Sequence, residues 1–328
     1  MRKTVSFILI GLLVISLVAA AGCGKADDAK KQQAAKYPTK PIELIVPYAA
    51  GGGTDAVGRA LAEALKGVLK QDVVVLNKTG GAGAVGMNEG LHAKADGYTI
   101  TMVTREVAIL PLLGQAPFKT MDFKYISNIN VDPELVVVST NSQYKTIEDL
   151  IKAMKANPGK LKYAAASVPN FYAIQFSLAA DVKFITVPFQ GAAPAMTEVL
   201  GGRADFGIYN PGEVKAQIEA GKLRPLAIMA EKRFDGLKDT PTFKEKGFNV
   251  VCATYRGIAV PPQTPDDVVK VLEDALAKAA KDPKFVEFMN KSMLGIGYMG
   301  PADFKAMVEA DMKVLAPVVD IVKKDQPK

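Results

Sequence analysis

The turn at Gly51–Asp55 is the stretch of this chain best suited to bind an anion. An apolar run over Ile42–Val46 ends at Pro47, three glycines follow, and a run with helical periodicity begins at Thr54. This junction directs backbone N–H groups and the positive end of a helix dipole toward one point, where the absence of Cβ atoms lets an oxyanion approach. The alternative is a tight turn that only connects a strand to a helix. The expected anion cradle comprises Tyr48, Gly52, Gly53, Thr54 and Asp55.

Residues with side-chain or backbone groups able to meet an anion follow several other predicted strands. They are Thr104 and Arg105, Ser167 and Asn170, Gln190 and Gly191, Asn210, and Arg256. Ligands of α/β sheets bind at the carboxyl ends of strands, so these loops are expected to converge on the cradle. Arg105 and Arg256 are the candidates for carboxylate binding, because a guanidinium offers two parallel donors to a planar anion. For each arginine the alternative is a salt bridge within the protein.

Motifs for catalysis and for metal binding are incomplete or missing. The run Gly81–Gly86 satisfies G-x-G-x-x-G, but four residues separate it from the predicted strand Val73–Leu76, which favours a second backbone-lined loop over a dinucleotide site. His92 is the only histidine, so a His-based triad has no second location. No G-x-S-x-G, H-E-x-x-H or C-x-x-C occurs. We expect a protein that is not an enzyme and needs neither cofactor nor metal. The alternative is a dinucleotide enzyme, which a cofactor bound to the purified protein would reveal.

Composition and charge agree with a globular protein that meets a small anion. The chain has 328 residues, is 49% hydrophobic and 23% charged, and is long enough for two packed cores. Its net charge of +7 is spread along the chain without a cluster of basic and aromatic residues, which argues against nucleic-acid binding. A mildly basic surface instead favours the approach of an anionic small molecule.

Strand-like and helical runs alternate along the chain, which predicts an α/β fold with mainly parallel sheets and helices on both faces. Crossings near Val138–Asn141 and Thr254–Gly257 would divide the chain into two lobes joined by a hinge. Lobe 1 is then residues 37–138 plus 257–328, and lobe 2 is residues 139–256. The strand-like runs are Ile42–Val46, Val73–Leu76, Tyr98–Val103, Leu135–Ser139, Leu161–Ala164, Phe184–Val187, Ala204–Tyr209, Pro225–Met229 and Gly257–Val260, and the helical runs are Thr54–Leu69, Ala84–Ala93, Thr146–Ala156, Phe171–Ala180, Ala192–Leu200, Gly212–Ala220, Pro265–Ala280 and Pro301–Val322.

The first residues predict export and lipid attachment. Two basic residues precede an apolar run that ends in small residues before Cys23, as in a lipoprotein signal over residues 1–23. An uncleaved anchor helix is the alternative. Residues 24–36 are polar and without apolar periodicity, which is typical of a flexible tether. Either reading places the remaining chain outside the cytoplasm, and Cys252 within an apolar run is expected in the core.

Several motifs, taken in order, resemble the solute-binding receptors of tripartite tricarboxylate transporters, the Bug-type proteins. The resemblance covers nearly all of the chain after the tether. It is carried by Tyr37-Pro38 with Lys40-Pro41-Ile42, Ile45–Tyr48 with Gly51–Asp55, Asn77 with Gly80–Gly83, Asp96–Thr99, Ala156–Leu161 with Tyr163, Val187–Gly191 with Ala193-Pro194-Ala195, Gly201–Asp205, and Ala220–Arg224.

The resemblance implies a two-lobed periplasmic-binding-protein fold that closes on a small carboxylate in the cleft between the lobes. It further implies delivery to the membrane permease subunits of the transporter by a monomeric, lipid-anchored receptor. Ligand contacts are implied at Gly51–Asp55, Thr104–Glu106, Ser167–Phe171, Phe189–Gly191 and Asn210. A dicarboxylate or tricarboxylate read by Arg105 or Arg256 is the expected ligand, with an aromatic acid, an amino acid or a carboxylate sensor or scaffold of the same fold as alternatives.

Overall fold

The computed structural model describes residues 37–166, 169–189 and 191–325, and these residues form two β-sheets flanked by helices. The first sheet contains six strands in the order β11-β4-β10-β3-β1-β2, and the second contains five in the order β7-β6-β8-β5-β9. The strands are β1 (Ile42–Val46), β2 (Val73–Asn77), β3 (Thr99–Thr104), β4 (Lys124–Pro133), β5 (Leu135–Ser139), β6 (Lys162–Ala165), β7 (Ile185–Pro188), β8 (Phe206–Tyr209), β9 (Leu223–Ile228), β10 (Ala253–Val260) and β11 (Ile296–Met299).

Ten α-helices in the described ranges connect and cover these strands. They are α1 (Gly53–Leu69), α2 (Ala84–Leu91), α3 (Glu106–Leu113), α4 (Ile147–Ala156), α5 (Phe171–Ala180), α6 (Ala192–Leu200), α7 (Pro211–Glu219), α8 (Asp266–Ala279), α9 (Pro283–Lys291) and α10 (Pro301–Asp325). The predicted α/β fold with two sheets is therefore confirmed. Two strands, β4 and β11, and two helices, α3 and α9, were absent from the elements that the sequence predicts.

Each sheet has a parallel part and an antiparallel part. In the first, β1 pairs in parallel with β2 and β3, while β10 is antiparallel to β3 and β4. In the second, β6 pairs in parallel with β7 and β8, while β5 is antiparallel to β8 and β9. The prediction of mainly parallel sheets is correct only for the parallel part of each sheet. Antiparallel pairing enters at β4, β5 and β10, the strands that carry the chain between the sheets.

The chain passes between the sheets at Glu134 and returns before Ala253. β4 ends at Pro133 in the first sheet and β5 begins at Leu135 in the second, so residues 135–138 pair within the second sheet. Likewise, β10 belongs to the first sheet from Ala253 onward. Both crossings therefore lie a few residues earlier than expected, because an apolar run identifies a strand but not its partner. We call the six-stranded sheet with its helices the first lobe and the five-stranded sheet with its helices the second lobe.

Apolar packing covers both faces of each sheet. Leu44, Leu61 and Leu276 belong to the core on one face of the first sheet, and Phe304 belongs to the core on the other. Each such side chain contributes roughly 1.5–3 kcal/mol when fully buried. Phe171, at the start of α5 in the second lobe, packs into the Phe304 core of the first lobe. The two lobes are thus in direct contact.

The predictions for the N-terminal segment and for Cys252 have different outcomes. The signal, Cys23 and the tether fall on residues 1–36, outside the described residues. Cys252 is buried in the core of the second lobe, as expected. Across residues 37–166, 169–189 and 191–325, no helix has the length and apolarity needed to cross a membrane.

Candidate functional site

The turn after β1 is held in shape by Asp55. Gly51 has φ of +86°, a conformation that favours glycine, and α1 begins directly behind Gly52. One carboxylate oxygen of Asp55 accepts the Gly51 N–H at 2.9 Å and Arg59 Nε at 2.9 Å, and the other accepts Asn77 Nδ2 at 2.9 Å. Asp55 is only 3% exposed, so its carboxylate holds the turn in shape from the protein interior. Burial opposes ionisation, but the bonds from Arg59, Gly51 and Asn77 prevail and lower the pKa of Asp55.

Tyr48 connects three loops of the first lobe. Its hydroxyl donates to the Ala82 carbonyl oxygen at 3.1 Å and lies 3.2 Å from Thr104 Oγ1. The Thr104 hydroxyl donates in turn to Glu106. Burial, followed by the Glu106 carboxylate, raises the pKa of the Tyr48 phenol well above its usual range. A Cβ built at Gly83 lies 3.1 Å from the Tyr48 hydroxyl oxygen, so this glycine of the G-x-G-x-x-G run accommodates a protein side chain.

Arg256 on β10 lies beside the cradle. Its Nε donates to Thr54 Oγ1 at 3.0 Å, and its Nη1 donates to Asp132 and Asn130. The antiparallel register places Arg256 opposite Asn130 and Thr254 opposite Asp132, which explains why this polar group assembles at the end of β4. A Cβ built at Gly53 lies 3.3 Å from Arg256 Nη2, so the guanidinium contacts the glycine turn itself.

Arg105 directly precedes α3 and is 2% exposed. Its Nη2 and Nε donate to Asp311 of α10 at 2.7 and 2.9 Å, and Nη2 also lies 3.3 Å from Gln175 Oε1 on α5. The guanidinium carbon lies 4.9 Å from the ring centroid of Tyr172, also on α5. Arg105 therefore pairs with an aspartate of its own lobe and contacts a helix of the other lobe.

The second lobe contributes helix N-termini. Asn170 precedes α5, and its side-chain oxygen accepts the Ala173 N–H at 2.9 Å. Gly191, with φ of +109°, precedes α6. Asn210 precedes α7, and its Nδ2 donates to the Asp132 carbonyl oxygen at 3.1 Å and to Glu134 Oε1 at 3.0 Å. Asn210 thus connects the second lobe to the chain crossing, whereas Asn170 and Gly191 serve as helix caps.

The structure joins several of the predicted residues by hydrogen bonds, in separate clusters. Thr54, Arg256 and Asn210 are joined through Asp132, and Tyr48 is joined to Thr104. Arg105 bridges to α5 of the second lobe. Ser167 and Gln190 lie outside the described residues. Contact of any of these residues with a ligand, and a ligand position between the lobes, stay predictions.

Sequence reasoning missed the acidic partners of this group. Asp132 and Asp311 bind Arg256 and Arg105, and Glu134 occupies the crossing between β4 and β5. Glu134 is 4% exposed. Burial, followed by the nearby Glu213 carboxylate, raises the pKa of Glu134 to about 8. A Pro-Glu pair between two apolar runs was the available signal for a charged residue at the crossing.

The cradle and Arg256 offer donors suited to a carboxylate. The glycine turn supplies backbone N–H groups at the start of α1, and Arg256 adds a fixed positive charge beside them. Both arginines already bind one aspartate each, which balances their charge without a ligand. A ligand carboxylate therefore depends on the backbone donors as well as on the guanidinium groups.

Comparison with known proteins gives consistent results. Residues 57–323 match the model of the "Tripartite tricarboxylate transporter family receptor". The "UPF0065 protein in gbd 5'region" of Cupriavidus necator is 32% identical over 303 residues, covering 90% of this chain and 91% of the relative.

Solved structures agree in fold over most of the chain. A TctC solute-binding protein from Polaromonas has a TM-score of 0.79 at 33% identity, with 87% of this chain and 99% of that chain covered. An R. palustris protein with adipate has a TM-score of 0.75 at 26% identity, with 88% and 98% covered. The chain belongs to the tripartite tricarboxylate transporter receptor family.

Proposed function

We propose that this protein is an extracytoplasmic receptor that captures a small organic carboxylate between its two lobes and delivers it to a permease of the tripartite tricarboxylate type. The observation that carries the proposal is the position of Arg256, which bonds to Thr54 and contacts Gly53 of the cradle. A fixed guanidinium and the N–H groups of a helix start then bind the same carboxylate.

Closure follows from the two chain crossings. Glu134 and the residues before Ala253 connect the lobes, while Arg105 and Asn210 contact the opposite lobe across the cleft. A ligand that contacts both lobes favours the closed form, because it has a differential affinity for the two states. The wrong ligand leaves buried polar groups unpaired, at a cost of about 1–3 kcal/mol per group. We propose that these two crossings form the hinge about which the lobes move.

A dicarboxylate or tricarboxylate is the ligand class that the two arginines favour. The R. palustris relative with adipate, a dicarboxylate, supports this class. In that case Arg105 or Arg256 binds the second carboxylate in addition to its own aspartate. Attachment through a lipid on Cys23 and the tether of residues 24–36 would hold the receptor near its permease.

A thermal-shift screen tests the proposal. Protein from Lys25 onward, freed of ligand by unfolding and refolding, is mixed with mono-, di- and tricarboxylates, aromatic acids and amino acids. A ligand at 100 times its dissociation constant stabilises the native state by about 2.7 kcal/mol. We expect a shift with one class of carboxylate, and we expect Arg256→Met to lose it. Arg203→Met should retain the shift, because the Arg203 side chain is 61% exposed on the second lobe. Absence of a shift with every anion would contradict the receptor and favour a sensor or scaffold of the same fold.

A further inference from the structure

Glu134 occupies the point where the chain leaves the first lobe for the second. Its backbone N–H donates to the Cys252 carbonyl oxygen at 3.2 Å, and its own carbonyl oxygen accepts the Met229 N–H at 2.8 Å. The side-chain oxygen Oε1 accepts Asn210 Nδ2 at 3.0 Å and lies 3.4 Å from Thr254 Oγ1. Within the described ranges, every side-chain hydrogen bond of Glu134 involves Oε1. The carboxyl group is therefore held at the chain crossing by bonds to Oε1, and no described hydrogen bond involves Oε2.

Among the described residues, no lysine or arginine forms an ion pair with this carboxyl group. The Arg105 guanidinium favours the charged form of Glu134, but Arg105 binds Asp311 through two nitrogens. Arg256 likewise binds Asp132. Burial and the Glu213 carboxylate together outweigh Arg105 and raise the pKa of Glu134 to about 8. The groups that face Glu134 from the surrounding elements are Asp132 on β4, Arg105 before α3, Tyr163 on β6, Tyr172 on α5, Asn210 and Glu213 at α7, Cys252, and Thr254 on β10.

We propose that Glu134 binds the ammonium group of a ligand whose carboxylate lies on the cradle, so that the ligand is an amino-substituted organic acid. This inference rests on the proposed function and narrows its ligand class. Asn210 donates to both Asp132 and Glu134, and Asp132 binds Arg256, which places the acid next to the group that contacts the cradle. An amino acid carries its two charges a few bonds apart and fits this pairing of an acceptor with a carboxylate site. A second carboxylate elsewhere in the ligand is compatible with it.

The charge around Glu134 favours an ammonium group over another carboxylate. Asp132 and Glu213 disfavour further negative charge at this point, whereas a bound cation relieves their repulsion. Tyr163 has a buried hydroxyl without a partner in the described part of the chain, and Glu134 is the carboxylate that most raises its pKa after burial. The ammonium group would replace the proton of Glu134, which passes to solvent.

Ligand binding is therefore coupled to proton release. With a pKa of about 8, Glu134 holds its proton in most empty molecules at pH 7, so an ammonium ligand releases close to one proton per molecule bound. Affinity then rises with pH, by up to about tenfold per pH unit, until pH 8 and levels off above it. A protonated Glu134 that donated to a ligand carboxylate would give the opposite slope.

Isothermal titration calorimetry on ligand pairs tests the inference. Each pair shares a carbon skeleton and differs by one amino group, and each is titrated in buffers of different ionisation enthalpy from pH 6 to 9. We expect the amino member of one pair to bind with proton release, and Glu134→Gln to weaken it by at least about tenfold. Glu134→Gln should leave the plain acid unaffected or bind it more tightly. Glu219→Gln, a surface carboxyl of α7, is the matched control.

The outcomes separate this inference from the proposed function. Binding of plain carboxylates alone would overturn the ammonium site and leave the carboxylate receptor standing. Equal affinity of wild type and Glu134→Gln for the amino member, or affinity that falls with rising pH through 8, would also overturn it. Binding of neither member of any pair would contradict the proposed function and the inference together. A Glu134→Gln protein that fails to fold leaves the wild-type proton release to decide.

Discussion

Arg105 and Arg256 are both buried and each binds an aspartate, yet they connect different parts of the molecule. Every described hydrogen-bond partner of Arg256 belongs to the first lobe: Thr54 of the cradle, and Asn130 and Asp132 on β4. Arg105 binds Asp311 of the first lobe and also contacts α5 of the second lobe. Arg105 therefore contacts the second lobe, whereas Arg256 contacts the anion cradle.

This difference suggests separate roles for two residues that look alike in sequence. Arg256 bonds to residues of the first lobe, so we expect its distance from the cradle to stay the same when the lobes separate. Arg105 contacts Tyr172 and Gln175 of the second lobe, and we expect these contacts to be lost when the lobes separate. We therefore expect Arg256 to determine whether an anion binds, and Arg105 to influence how readily the lobes close.

The largest effect is expected for Arg256→Met. It leaves Asp132, which is 1% exposed, without its cationic partner, and breaking such a pair costs about 3–5 kcal/mol. Urea denaturation should show this loss, with carboxylate binding abolished in the protein that stays folded. Arg203→Met removes an exposed ion pair and should cost less than about 1 kcal/mol. Equal losses in the two variants would end the distinction drawn for Arg256.

A smaller loss is expected for Arg105→Met. The Asp311 side chain is 14% exposed and can regain water, so about 1–3 kcal/mol is lost. Small-angle X-ray scattering should show a larger radius of gyration for the ligand-free variant than for wild type, because the contact with α5 is gone. Ligand binding should weaken without being abolished. If Arg105→Met abolishes binding while Arg256→Met retains it, the two roles are reversed.

The smallest effect concerns the turn that Arg256 contacts. Asp55→Asn weakens the acceptor for Gly51 and Arg59, which should cost about 1–2 kcal/mol at pH 7. The pKa of Asp55 is lowered in the folded protein, so its stabilisation is present above the unfolded value near 3.8 and lost as pH falls through the folded value. Denaturation of both proteins at pH 7 and pH 3 should show the difference shrinking in acid. A difference independent of pH would mean that the Asp55 charge does not stabilise the turn.

Local features of the site were accessible from sequence. The strand, glycines and helix start around Gly51–Asp55 are adjacent in the chain, so their pattern predicts the turn without knowledge of the fold. Asn170, Gly191 and Asn210 were identified for the same reason, as each follows a strand and precedes a helix.

Long-range partners were not accessible in this way. Asp132 and Asp311 lie 124 and 206 residues from the arginines they bind, and no periodicity connects such positions. β4 was missed because Asn128, Asn130 and Asp132 recur at every second position like a solvent-facing stripe, although all three are buried. Their side chains bond to Arg256 and to the segment around β11, a use that only the folded sheet reveals.

A crystal structure with the ligand identified by thermal shift tests the central claim most directly. The account predicts a carboxylate between the lobes, against the N–H groups of Gly52–Thr54 and Nη2 of Arg256, with both lobes in contact with the ligand. A ligand seated elsewhere, for example in the surface hollow between α1 and α9 beside Phe288, with Arg256 not engaged, would contradict it.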